Sequence, residues 1–221
     1  PWARTPPPPE PTPPRVLAPS RPAGTEPAPR SPLGPDQGRR FRRGTLIHRL
    51  LQHLPAVPSE RRAEAARRWL SFAAADVPED ARVEYAAEAL AVVGNPAFRH
   101  LFGPGSRAEV PIIGKVGATV VAGQVDRLAV AADRISVLDY KTHRPPPEAE
   151  SDVPEIYLRQ MALYRALLAR AFPGRAVTCA LLWTDGPRIM ELSDAILDRF
   201  SGDWRPNSFR RRGVDGPSPP T

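Results

Sequence analysis

Three residues in two neighbouring segments have the types and spacing for phosphodiester chemistry: Asp126 in GQVDRLAV, and Asp139 and Lys141 in RISVLDYKT. The segments read as consecutive strands around a short loop whose symmetric centre lies between Ala132 and Asp133. An even-length hairpin centred there pairs residues whose numbers sum to 265, as Asp126 and Asp139 do. Directly opposed residues have Cβ atoms about 5 Å apart, and like charges so placed destabilise a sheet unless a proton is shared or a cation is bound. Lys141 follows Asp139 by two positions, so strand periodicity sends both side chains to one face. Two carboxylates and an ammonium at one spot suit metal-assisted phosphodiester hydrolysis. The aspartates would hold a divalent cation that binds a phosphate oxygen and activates water, and Lys141 would neutralise developing charge or orient the water. D-x-K alone more often marks an exposed ion pair at a strand end, and Asp126 is what raises the catalytic reading above it.

The helical segment EIYLRQMALYRALLARAF supplies a second group. At 100° per residue Ile156, Leu163, Tyr164, Leu167 and Leu168 define its apolar face, and Gln160 falls inside that stripe. A buried amide needs partners. Gln160 and Tyr164, one turn apart, either steady the lysine, the water or a phosphate, or are a marginal Gln and an ordinary core Tyr. In GTLIHRLLQHLP, His48 flanks a leucine stripe, and Gly44 one turn earlier leaves room for a metal or substrate. An isolated helical histidine is by default a surface or core residue, and His53, His100 and His143 are read as solvated. The arginines of GRRFRRG, with Arg127, Arg144 and Arg159, form either a phosphate-tracking surface or a solvated face. Trp183 is core or a base-stacking residue.

These residues need elements to carry them. Three amphipathic helices are expected first: Arg39 to Pro55, a second with Ser59 as N-cap, and a third ending near Gly94. After Gly105 the period changes to two, giving three antiparallel strands, then the helix with Gln160, then two strands around Asp185-Gly186. This is an α/β core with a helical N-terminal part. Of 30 prolines, 14 fall within residues 1 to 38, so 1–38 reads as a disordered linker, 39–206 as one domain and 207–221 as a disordered tail. The opening at Pro1 in linker composition suggests the C-terminal piece of a larger protein. A net charge of +7 favours an acidic partner such as nucleic acid. The one cysteine, Cys179, permits no disulfide within the chain and no four-cysteine cluster, which fits a reducing cytoplasm. No signal peptide or membrane-length apolar run is present, and Gly114-Lys115 is followed by Val116, so no phosphate loop for ATP exists here.

The ordered set GTLIH (44–48), AEVPI (108–112), GQVDR (123–127), LDYKT (138–142) and QMALY (160–164) resembles the RecB-type branch of the PD-(D/E)XK nucleases. From about Arg39 to Leu192, including RQMALYRALL and CALLWTDGPRIMEL, the chain is similar to the C-terminal nuclease domain of alphaproteobacterial AddA-type helicase-nuclease subunits. The resemblance implies a restriction-endonuclease-like fold, a mixed sheet flanked by helices. It implies His48, Asp126, Asp139 and the Tyr140 backbone carbonyl as metal ligands, Lys141 as the catalytic lysine, and Gln160 and Tyr164 as the supporting Q-x-x-x-Y pair. Glu109 takes the place of the family's first-strand acid, although in RecB-type sites the histidine assumes much of that role. Mg²⁺, or Mn²⁺, is the implied cofactor, with ATP serving only a helicase part upstream. DNA with free ends and an AddB-like subunit are the implied partners, in a bacterial cytoplasm at the nucleoid, during double-strand-break repair. The rivals are a non-catalytic DNA-binding or docking module and a stand-alone endonuclease of the same superfamily.

Overall fold

The computed structural model describes residues 16–17, 35–117 and 119–201. The residue pair Val16–Leu17 forms a first short strand, β1. Helix α1 spans Pro35–His53, α2 Arg62–Ala73 and α3 Glu79–Gly94. Strands β2 (Ser106–Val116), β3 (Thr119–Val130) and β4 (Arg134–Lys141) come next, then helix α4 (Glu155–Ala171), strands β5 (Ala176–Trp183) and β6 (Arg188–Leu192), and the short helix α5 (Asp194–Asp198). Among the described residues the strands form a six-stranded mixed sheet: β2, β3 and β4 are antiparallel neighbours, β4 and β5 are parallel, and β6 returns antiparallel. The β4–β5 pair is parallel because α4 carries the chain back across the sheet between them.

Alternation along the central strands divides the interior into two cores. Leu138, Tyr140 and Leu182 pack with Leu46, Ile47, Leu50, Leu51 and Leu54 of the first helix and its end, and with Leu70, Tyr85 and Val92 of the next two. On the opposite face Ile135, Val137, Cys179, Leu181 and Trp183 pack with Met161, Leu163, Tyr164 and Leu168 of α4. Each fully buried leucine or isoleucine contributes about 1.5–3 kcal/mol by leaving water, so both layers are strongly held. Two glycines permit close approach. A Cβ on Gly114 would lie 2.8 Å from Leu167 Cδ2, and one on Gly44 would lie 3.2 Å from Thr142 Oγ1. The space at Gly44 therefore admits the end of the DYKT segment rather than a ligand.

The sheet carries one irregularity. The β2–β3 ladder is registered from Ser106–Ala129 to Val116–Thr119 except at Glu109 and Asp126, and Glu109 has φ of 53°. On the hairpin side of that break, Val110 and Val125 face α4; beyond it, Leu128 faces α4 and Arg127 turns to the helical layer. The two strands thus exchange faces at the two acidic residues. On β4 the register is the expected one, Arg127 with Leu138 through Val130 with Ile135. The pairing ends there, because β4 leaves β3 beyond Leu138 while remaining paired with β5 to Lys141. Asp126 and Asp139 stand at this fork.

Several expectations need correction. Within the stretch assigned to linker, Val16–Leu17 pair parallel with Val120–Val121, and α1 begins at Pro35. Backbone pairing to an open strand edge needs no apolar periodicity, so composition misses it. The rest of 1–34 and the tail beyond 201 lie outside the described residues. Ser59 does not cap α2: it opens a 3-10 turn, Ser59–Arg61, and its hydroxyl meets Glu60. Trp183 is fully buried and so is core, not a platform for a base.

Candidate active site

α1 and the fork between β3 and β4 deliver the first half of the site. His48 Nδ1 lies 3.5 Å from Asp126 Oδ2, and the imidazole stands edge-on to Tyr140 with ring centroids 5.5 Å apart. The Tyr140 N–H, freed where the ladder splits, donates to Asp126 Oδ2 at 2.7 Å. His48, Glu109 and Asp126 each present a ligand atom within 4.8 Å of the others, a group of side chains able to hold a metal ion. The left-handed backbone of Glu109 brings it there; a non-glycine residue in that region costs about 1–3 kcal/mol, the kind of strain that collects at functional sites.

The second half comes from β4 and α4. Lys141 Nζ is 2.5 Å from Asp139 Oδ2 and donates to Gln160 Oε1 at 3.3 Å. Gln160 Nε2 donates to Tyr164 Oη at 3.3 Å, and the Tyr164 hydroxyl donates to the Gln124 carbonyl at 2.8 Å. Gln124 Nε2 in turn donates to the Glu109 carbonyl at 3.3 Å. A hydrogen-bonded chain therefore runs from the lysine to the distorted residue that completes the acidic cluster. Gln160 is buried, and this chain satisfies its amide. Asp139 Oδ2 is also buried, close to the ammonium yet without a well-directed hydrogen bond.

The charges show what the cluster lacks. Burial works against ionisation of Asp126, but the His48 charge, its hydrogen bond and the Tyr140 N–H outweigh it and hold the carboxyl below its usual range. Burial likewise opposes the His48 imidazolium, and Asp126 overcomes this to raise it. Asp139 is pushed up by burial, which Lys141 only partly offsets and Asp126 reinforces. Glu109 is pushed up by burial and by Asp126. Three carboxylates compete for too little positive charge, a deficit that a divalent cation would relieve. Carboxylate oxygens and an imidazole are a donor set that suits a divalent cation.

The structure thus brings together His48, Glu109 and Asp126 as one cluster, and Asp139, Lys141, Gln160 and Tyr164 as its neighbour. Asp139 belongs to the lysine in this arrangement and lies outside the three-residue cluster. The arginines read as either a phosphate-tracking surface or a solvated face are engaged in ion pairs and hydrogen bonds within the protein. Arg127 is buried, donating to Tyr140 Oη (2.8 Å), Ser106 Oγ (3.0 Å) and the Leu51 carbonyl (3.0 Å), because the exchange of faces turns it inward. Arg159 is held by Glu155 and lies over the Phe200 ring, while Arg144 pairs with Glu84, Glu88 and Asp185. Arg42 binds Asp76, and Arg43 binds buried Glu88 and the Thr142 carbonyl. The side chains of Arg39 and Arg40 lie outside the described part of the structure.

Sequence reasoning passed over Gln124 and Tyr157, and read His143 as solvated, which agrees with its exposure but misses its bond to Tyr157. The Lys141 ammonium lies 3.8 Å from the centroid of the Tyr157 ring, whose hydroxyl is 3.1 Å from His143 Nδ1. Their signal was available: Gln124 precedes Asp126 by two, and Tyr157 precedes Gln160 by one helical turn. A cavity of about 550 Å³ between α4, β5 and α5, lined by Arg165, Cys179 and Asp194, lies apart from this chemistry. The open fork, not the cavity, is where titratable groups converge.

The family model of the PD-(D/E)XK nuclease superfamily matches residues 23–205. No curated protein matches the chain. Among solved structures, one described as "Crystal structure of SSO0001" aligns at 18% identity with a TM-score of 0.29, covering 74% of this chain and 83% of that one. A likeness at that level carries no argument.

Proposed function

The chain belongs to the PD-(D/E)XK nuclease superfamily, and from that premise we propose that it is a divalent-cation-dependent deoxyribonuclease domain acting on DNA ends. The carrying observation is the cluster of His48, Glu109 and Asp126 beside the Asp139–Lys141–Gln160 group. His48, Glu109 and Asp126 would hold the cation, with Asp139 and the Tyr140 carbonyl as further ligands. A bound Mg²⁺ or Mn²⁺ would supply phosphate charge neutralisation and an activated water. Asp126 fixes the imidazole, and the Tyr140 N–H fixes Asp126. Lys141, steered by Gln160, places its positive charge where the phosphate becomes more negative during attack. Tyr164 fixes the Gln160 amide so that its oxygen faces the lysine.

The finer reading rests on the sequence resemblance: an AddA-type exonuclease domain, with its helicase part upstream and an AddB-like partner, preparing broken ends for recombination. Linear duplex DNA incubated with this chain, or with its parent complex, and Mg²⁺ should be degraded from the ends, and a chelator should stop it. Asp139→Ala and Lys141→Ala should each abolish degradation; full activity in both would refute the site. Cutting of closed circles would indicate an endonuclease, and salt-sensitive binding without cleavage would indicate a docking or binding module.

A further inference from the structure

Among the described residues the Lys141 ammonium meets Asp139, Gln160 and the face of the Tyr157 ring. These neighbours are not equivalent once the site is loaded. A carboxylate that moves to a cation gives up much of its hold on the ammonium, while an aromatic face has no such competing attraction. Tyr157 is buried, and it sits three residues before Gln160 on α4, so both project from one stripe of the helix. Its hydroxyl meets His143 Nδ1 at 3.1 Å, and the two rings meet edge-on with centroids 6.0 Å apart. That contact sets the plane of the phenol ring and ties α4 to the loop just beyond Lys141.

We propose that Tyr157 is a positioning residue for Lys141, holding the ammonium against its ring face when the Asp139 carboxylate turns to a cation. The proposal rests on the nuclease reading. A lysine ammonium lying over an aromatic ring is attracted to the ring face by its quadrupole. Its four-carbon stem is flexible, and each anchor removed lets it sample positions from which it cannot meet the phosphate. Gln160 supplies one directional anchor and Tyr157 a broad, apolar one. Together they leave the ammonium a single arc to occupy. His143 contributes through Tyr157 and has no contact of its own with Lys141 among the described residues.

Two side-chain replacements separate this role from simple core filling. Tyr157→Phe keeps the ring and loses the hydroxyl; Tyr157→Leu keeps apolar volume and loses the ring face. With DNA ends and Mg²⁺, Tyr157→Phe should stay within about threefold of the parent kcat, while Tyr157→Leu should lose roughly tenfold in kcat at unchanged KM. A second readout does not use cleavage. The Lys141 ε-methylene signals should be shifted upfield by the ring, should remain so on adding Mg²⁺, and should return to ordinary positions only in Tyr157→Leu. Tyr157→Met replaces Tyr157→Leu if the latter fails to fold. Loss of the upfield shift on adding Mg²⁺, or its absence in the parent, overturns the proposal. So does a folded Tyr157→Leu variant with parental kcat, or a Tyr157→Phe variant as slow as Tyr157→Leu. A parent protein that shows the Mg²⁺-stable shift without cleaving DNA would instead count against the nuclease reading and leave the placement of Lys141 standing.

Discussion

Replacing Arg127 by methionine should lower stability by about 3 kcal/mol without an exposed residue being touched. The guanidinium makes three hydrogen bonds, to Tyr140 Oη, Ser106 Oγ and the Leu51 carbonyl, and lies 4.7 Å from the centroid of the Phe102 ring. Leu51 belongs to the last turn of α1, where carbonyls have no intrahelical donor, so Arg127 acts as a side-chain cap. Methionine matches much of the volume and removes the cost of burying a charge, which offsets part of the loss. Ser106 is only half-buried and can turn to water. Leu51 and Tyr140 are left as buried polar groups without this partner, each costing about 1–3 kcal/mol. For a domain of this size the loss corresponds to a Tm lower by about 6–12 °C. Urea unfolding followed by circular dichroism measures it. A change below about 1 kcal/mol would refute the view that Arg127 bolts the helical layer to the sheet.

Cation affinity should rise with pH through the raised His48 value, above its ordinary pKa of about 6.5, because the imidazole must lose its proton to serve as a ligand. Below that value the affinity should fall by up to about tenfold per pH unit for one displaced proton, and calorimetric titration with Mn²⁺ at several pH values would show it. In the metal-free protein the His48–Asp126 pair works in the opposite sense. The raised His48 contributes stability that is complete below about pH 6.5 and lost as pH climbs through the folded value, and the lowered Asp126 contributes stability lost as pH falls through its own. Thermal melts without metal should therefore show this pair's benefit at mildly acid pH. Gln160→Leu should reduce kcat by at least about tenfold, since Lys141 loses its directed acceptor and Tyr164 its donor, while KM for DNA changes little. A parental kcat in that variant would show the amide to be structural.

Periodicity located every helix and strand that carries a proposed site residue, and the hairpin centre gave the β3–β4 register, because these features repeat along the chain. The pairing of Asp126 with Asp139 was harder. Both stand at the fork, but the ladder ends at Arg127–Leu138 and does not pair them, and the exchange of faces at Glu109 and Asp126 breaks the alternation that treats β3 as uniform. The same break sends Arg127 inward, where the sequence left it on either a phosphate-tracking or a solvated face. Gln160 announced itself because an amide inside an apolar stripe demands a partner. Tyr157 did not, since a tyrosine in such a stripe looks like any other core residue until the lysine is seen over it. The two readings of the arginines stayed open for a simpler reason: charge counted along a chain says nothing of the acids, such as buried Glu88, that pair with it.

The two cores that share the sheet have a consequence for how the protein would fail. His48 arrives with the layer of N-terminal helices, whereas Gln160 and Tyr157 arrive with α4, and the two layers pack on opposite faces of the sheet. The site is in effect a seam. Slippage of one layer against the other by about 1 Å would separate the histidine from the lysine, and misplacement of that size can cost about a hundredfold in rate. Neither core need be breached for this to happen. Heat or mild denaturant should therefore silence the protein while its circular dichroism is still that of the folded state.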